Sequence, residues 1–144
     1  MYVCMLPIPS PLGRSLITKH CTSIAVSYRL FTINIKALMH VTKIVVKNLL
    51  TRNAPGSIVN ISSQASLVGL NHHTVYCATK GAVDAFTRAT ALEYGPNNIR
   101  VNAVNPTVIM TDMGRLGWSD PNVAKPMLQK IPLKKSHKRE RPTL

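Results

Sequence analysis

The sequence predicts an α/β fold built on parallel strands. Apolar residues recur at helical spacing in two stretches, 35–49 and 75–92. A short run rich in β-branched residues follows each, at 57–62 and 99–105. Helix, strand, helix, strand with short connections is the order that lays strands parallel through crossovers. At 144 residues the chain is one modest domain. Its 45% hydrophobic content excludes a disordered polyampholyte.

Residues 1–30 show no clear period. Three prolines and a Gly-Arg-Ser turn make Pro7 to Ser15 irregular, and Ile24 to Leu30 fits either a short strand or a helix start. From Asn34 the pattern sharpens. Ile35, Leu38, Met39, Thr42, Val45, Val46 and Leu49 share one helical face, and Lys36, His40, Lys43 and Lys47 the other, which reads as a wet face. Asn53-Ala54-Pro55-Gly56 stops that helix. Ser57 to Ser62 is a strand, and a loop runs from Ser63 to about His73. Thr74 is placed to cap a second helix, whose apolar stripe is Val75, Ala78, Ala82, Ala85, Phe86, Ala89 and Leu92. Gly95-Pro96 ends it, and Ile99 to Pro106 is the next strand, closed by proline. Beyond Pro106 the chain reads as loop, with a short helix near 121–130 and a basic tail.

The formal charge is +13, from 18 Lys and Arg against 5 Asp and Glu. Much of the local excess sits in the last eleven residues, from Lys134, and aromatic content is only 5%, which argues against nucleic-acid binding. A basic module gripping a polyanion through that tail is the weaker alternative. Three cysteines, Cys4, Cys21 and Cys77, make neither a disulfide framework nor a zinc cluster and fit a reducing compartment. Lys36, His40, Lys43 and Lys47 interrupt the most apolar stretch, so no membrane span is expected. Prolines 7, 9 and 11 break the one candidate signal segment. The expected location is the cytoplasm. His72-His73 stands in a loop without a nearby carboxylate or cysteine, so no metal site is expected.

Tyr76 and Lys80 are four apart, one turn along a single helix face. Alone, that spacing means little. Here Ser63 follows one strand and Asn105-Pro106 the next, and ligands of open parallel sheets sit beyond the carboxyl ends of strands. Ser63, Tyr76 and Asn105-Pro106 can therefore converge on one crevice.

Asn34, the run Gly56 to Ser63, Tyr76-Cys-Ala-Thr-Lys80 and the run Ile99 to Thr111 resemble the short-chain dehydrogenase/reductase family. More narrowly, Asn105 to Thr111, Trp118-Ser119-Asp120-Pro121 and Ile131-Pro132-Leu133 resemble its carbonyl reductases of ketoses and α-dicarbonyls. The resemblance spans about 31–135. It implies the second, catalytic half of a doubly wound, Rossmann-like sheet and an NADPH-dependent reduction. Tyr76 would be the general acid, and Lys80 would lower its pKa and bind the nicotinamide ribose. Ser63 would hold the carbonyl, and Asn34 a water relaying protons to the lysine. Ile109 and Thr111 would face the carboxamide; Gln64, His73 and Trp118 would line the substrate pocket. A homo-oligomer is implied, with the helices bearing Asn34 and Tyr76 at subunit contacts.

The resemblance also marks departures. The seven glycines, 13, 56, 69, 81, 95, 114 and 117, form no glycine-rich turn for a pyrophosphate. Residues 1–30 and the basic tail 136–144 match nothing in the family, so the chain reads as truncated at both ends. Uncovered strands would then favour poor folding or association, and loss of the pyrophosphate site would weaken NADPH binding. The alternative function is an inactive fragment that associates with full-length reductase subunits.

Overall fold

The computed structural model describes residues 2–4, 24–71 and 73–138. Strand β1 (Tyr2–Cys4) precedes one long helix in three parts: α1 (Ile24–Phe31), a π turn (Thr32–Lys36) and α2 (Ala37–Thr51). Strand β2 (Gly56–Ile61) leads through a 3-10 turn (Gln64–Ser66) to α3 (Thr74–Tyr94). A second 3-10 turn (Gly95–Asn97) precedes β3 (Ile99–Val104). Then come β4 (Ile109–Met110), α4 (Asp112–Trp118), α5 (Pro121–Gln129) and β5 (His137–Lys138).

The sheet is parallel, in the order β1-β2-β3, with Tyr2 opposite Ile58 and Ile58 opposite Val101. This is the Rossmann-like alternation expected from the sequence. The first thirty residues, which show no period, supply β1 and α1; the turn expected at Pro7 to Ser15 lies outside the described residues. The ambiguous stretch at Ile24 is helix. Asn34 therefore lies well inside a helix, at its π turn.

The face of α2 agrees with its pattern except at Met39, which is exposed. Leu38, Thr42, Val46 and Leu49 are buried, while Lys36, His40, Lys43 and Lys47 are exposed. Val46 and Leu49 meet Ile58, Ile99 and Val101 in the apolar core, with Val45, Ala54, Ala91 and Tyr94 packed against it. Asn53, at φ 46°, takes the left-handed turn that ends the helix, and Ala54 N–H donates back to Leu49 O at 3.0 Å. A Cβ on Gly56 would meet the tip of the Leu49 side chain, which would have to shift to admit it.

The face of α3 is a correction. Ala78, Ala85, Ala89 and Leu92 of the expected apolar stripe point outward, and Leu92 is 83% exposed. The buried residues are Thr79, Lys80, Val83, Asp84, Thr87 and Thr90. A polar face can be buried because its side chains find hydrogen-bond partners, Asp84 through its Oδ2. Thr87 Oγ1 donates to Val83 O at 2.8 Å and accepts from Asn60 Nδ2 at 2.9 Å. Thr90 Oγ1 donates to Phe86 O at 2.8 Å. His73, rather than Thr74, stands at the cap position, and the left-handed residue after the helix is Asn98, at φ 59°, rather than Gly95.

On β3, Ile99 and Val101 turn toward the helices, while Arg100, Asn102 and Val104 are exposed on the opposite face. The stretch beyond Pro106, read as loop with one short helix, contains α4, α5 and the parallel pair β4-β5. Among the described residues no helix is long and apolar enough to cross a membrane.

Candidate active site

Past their last strand residues, β2 and β3 stay joined. Ser62 N–H donates to Val104 O at 2.8 Å, and Gln64 N–H to Pro106 O at 3.0 Å. Ser63 is extended between them, at φ −162° and ψ 155°, and its Oγ accepts from Ala65 N–H at 3.2 Å, capping the short turn. The first two turns of α3 stand against this strand end and bring Tyr76 and Lys80 to it.

The Ser63 hydroxyl lies near enough to the Tyr76 phenol to favour its ionised form. The Lys80 Nζ stands 5.8 Å from the centre of the Tyr76 ring. It donates to Ile61 O at 2.9 Å, and Lys80 is only 6% exposed. The His73 ring meets Tyr76 edge-on, with centroids 6.3 Å apart, while its Nδ1 donates to Asn71 O at 2.7 Å. Asn34, 2% exposed, donates from Nδ2 to Thr79 Oγ1 at 3.0 Å, and Thr79 Oγ1 donates to the Tyr76 carbonyl at 2.8 Å. The π turn thus ties the long helix to the turn that carries the phenol, a use of such turns common at functional sites.

The Tyr76 phenol is pushed above its usual value of 10.0. Burial is the main cause, the hydrogen bond with Ser63 partly offsets it, and the charge on a Cys77 thiolate adds to it. The net direction is opposite to the lowering expected from Lys80, because desolvation of the phenolate outweighs the other contributions.

Behind Ser63 lies a polar cluster in which Asn105 was expected from the sequence and Ser66 and Asp84 were not. Asn105 Nδ2 reaches Ser63 O at 3.2 Å, Ser66 Oγ at 2.8 Å and Asp84 Oδ2 at 2.8 Å. Ser66 Oγ shares its proton between Ser63 O, at 2.7 Å, and Asp84 Oδ2. Burial alone would raise the Asp84 carboxyl. Hydrogen bonds from Ser62, Ser66 and Asn105, with the Arg88 charge, outweigh it and hold the group below its ordinary 3.8. Ser62 Oγ also faces Lys80 O at 3.2 Å, so its one proton serves one acceptor at a time. The available signal was spacing: Asp84 follows Lys80 by the same four residues that separate Lys80 from Tyr76.

The remaining expected residues lie on other elements. Gln64 Nε2 approaches Met127 Sδ on α5 at 3.9 Å, linking the serine turn to that helix. Ile109 is half-buried on β4, and Trp118 is half-buried at the end of α4. Thr111 Oγ1 accepts from Gly114 N–H at 3.1 Å and caps α4. A Cβ on Gly114 would strike Ile109 O, so the start of α4 closes tightly over β4. The structure brings Ser63, His73 and Lys80 to the Tyr76 phenol, Asn34 reaches only the backbone of that turn through Thr79, and the bonds of Thr111 run within β4 and α4.

A family model described as short chain dehydrogenase matches residues 16–121. L-xylulose reductase of Mus musculus is 59% identical over 105 residues, 73% of this chain and 43% of that protein. L-xylulose reductase of Homo sapiens is 55% identical over 74% of this chain and 44% of its own length. D-erythrulose reductase of Gallus gallus is 51% identical over similar shares. The chain therefore spans under half the length of the curated relatives it matches. Among solved structures, ElxO with NADP bound superposes with a TM-score of 0.79 at 26% identity, covering 94% of this chain and 53% of that one. NAD+-bound xylitol dehydrogenase superposes at 0.69 with 32% identity, over 78% and 48%.

Proposed function

The chain belongs to the short-chain dehydrogenase family, and on that footing we propose that it is an NADPH-dependent carbonyl reductase of ketoses or α-dicarbonyls. The observation that carries the reading is the Tyr76 phenol with the buried Lys80 ammonium 5.8 Å from its ring and the Ser63 hydroxyl near it, at the carboxyl ends of β2 and β3. The relatives named for L-xylulose and D-erythrulose point to the same substrate class.

Tyr76 is the proton donor to the carbonyl oxygen. Its raised pKa keeps the phenol protonated through neutral pH, so the proton is present when the oxygen develops charge. The Ser63 hydroxyl, near that phenol, orients the same oxygen. Lys80 supplies the positive charge that stabilises the phenolate left after transfer. Asn34 holds the Tyr76 turn through Thr79, and serves the proton relay to Lys80. Gln64, His73 and Trp118 wall the substrate pocket.

The residues present fit one end of the cofactor. A buried ammonium beside a phenol suits a ribose hydroxyl, so Tyr76 and Lys80 would hold the nicotinamide ribose, and Ile109 and Thr111 its carboxamide. The sequence has no glycine-rich turn to cradle a pyrophosphate, so this chain's grip on the adenine end is weak. When bound, the cofactor supplies a hydride to the carbonyl carbon.

The test is carbonyl-dependent loss of NADPH absorbance with L-xylulose and with diacetyl. The expected result is turnover by the chain that falls about a hundredfold or more in Tyr76→Phe. No turnover by the wild-type chain overturns the reading. A second reading is an inactive fragment that joins complete subunits. Exposed Ile24, Tyr28 and Phe31 on α1 and Leu92 on α3 favour it, since unpaired apolar faces seek partners. A mixed complex with co-expressed full-length L-xylulose reductase, without turnover by the chain alone, would select it. The cytoplasm is the proposed location of either form.

A further inference from the structure

The mechanism above uses Ser63 but does not explain what holds it. Ser63 lies at the strand end, just before a turn of three residues, Gln64–Ser66. So short a turn has few bonds of its own, and the direction of the Ser63 side chain depends on what grips its backbone. Two donors reach the Ser63 carbonyl: Asn105 Nδ2 at 3.2 Å and Ser66 Oγ at 2.7 Å. Both also point at one atom, Oδ2 of Asp84.

We infer that Asp84 is a positioning residue: its carboxylate orients Asn105 and Ser66, and through them fixes the backbone of Ser63 so that the hydroxyl stays beside the Tyr76 phenol. The inference rests on the reading that Ser63 acts on the carbonyl. The chemistry of the side chains supports it. An ionised carboxylate only accepts hydrogen bonds, whereas the Asn105 amide can present either its oxygen or its NH2. Facing Asp84, it must present the NH2, and the same nitrogen then reaches Ser63 O. A flipped amide would set two oxygens against each other and strip Ser63 O of one donor.

Asp84 is 8% exposed, and a buried carboxylate persists only when hydrogen bonds and charge compensate it. The donors that compensate it here are those that grip the serine turn. Tyr76, Lys80 and Asp84 are successive turns of α3. One helix face thus carries the proton donor, the cation and the anchor of the serine, so that movement of the helix moves all three together.

The experiment is residue-resolved amide hydrogen exchange on the full chain, with Asp84→Ala and Asp84→Asn. The expected result for Asp84→Ala is exchange about tenfold or more faster at Gln64, Ala65 and Ser66, with Ile58, Ile99 and Val101 unchanged. Asp84→Asn keeps the shape and one acceptor oxygen and regains part of the protection. In turnover assays kcat falls with the KM for NADPH unchanged, and Asp84→Asn lies between wild type and Asp84→Ala. Equal acceleration at all six amides assigns Asp84 to general support and overturns the inference, as does unchanged exchange at residues 64–66. Should Asp84→Ala fail to fold, Asp84→Asn decides: a smaller acceleration confined to residues 64–66 supports the inference, and a uniform or absent one overturns it. Exchange is read without substrate. A wild-type chain without turnover therefore removes the reductase reading alone, and turnover with no local acceleration in the variants removes only the role of Asp84.

Discussion

Where β2 and β3 begin, Ile58, Ile99 and Val101 pack against Val46 and Leu49 of α2, an interface of hydrocarbon. Where the same strands end, Ser62, Ser63 and Asn105 meet Ser66, Lys80 and Asp84 through hydrogen bonds, and Pro106 O accepts from Gln64 N–H. Burial of apolar area is tolerant of direction and depends on volume. Hydrogen bonds depend on direction and fail when one partner is removed. The first end is built to hold, and the second to aim. The two should therefore break under different treatments.

The largest separation is expected for Tyr76→Phe. It removes one oxygen from the directional end, and turnover should fall about a hundredfold or more while the urea midpoint stays near wild type. Leu49→Ala attacks the other end. It opens a cavity beside Ile58 and Ile99 and should cost about 2–5 kcal/mol in urea unfolding. Gly56→Ala overfills the same place and should cost about 1–3 kcal/mol. Combined with Leu49→Ala the loss should be less than additive, because the clashing side chain is gone.

Acid should separate the ends without mutation. Asp84 is held below its ordinary 3.8, so its contribution is fully present above that value and is lost as pH falls through the lower folded value. Amide exchange at residues 64–66 should therefore rise in acid before that at Ile99 and Val101, and a simultaneous rise would erase the distinction. The smallest effect is expected for Ala89→Ser on the outward face of α3, within about 0.5 kcal/mol by the same urea assay.

The hydrocarbon end was legible in the sequence. The spacing of Leu38, Thr42, Val46 and Leu49 is the plain helical signature, and the β-branched runs after Gly56 and Asn98 are the strands they cover. The polar end was half legible. Ser63, Tyr76, Lys80 and Asn34 were found by motif, and the structure brings them together. Apolar periodicity, however, put α3 the wrong way round. It weighs Ala85 and Ala89 above Thr87 and Asp84, and it has no means of knowing that Thr87 will find Asn60, or Asp84 will find Asn105. Partners twenty residues or more away carry no local signal. The net shift of the phenol was hidden for a similar reason, since the burial that raises it comes from distant elements.

The π turn at Thr32–Lys36 accommodates one residue more than a regular helix would need. Deleting one residue from that turn would restore regular winding and leave the helix before it facing much as it does now. The side of α1 that shows Ile24 and Tyr28 would keep its direction, while Asn34 would lose its aim at Thr79. A single-codon deletion here would thus loosen the tie to the Tyr76 turn and spare the outer surface of the molecule.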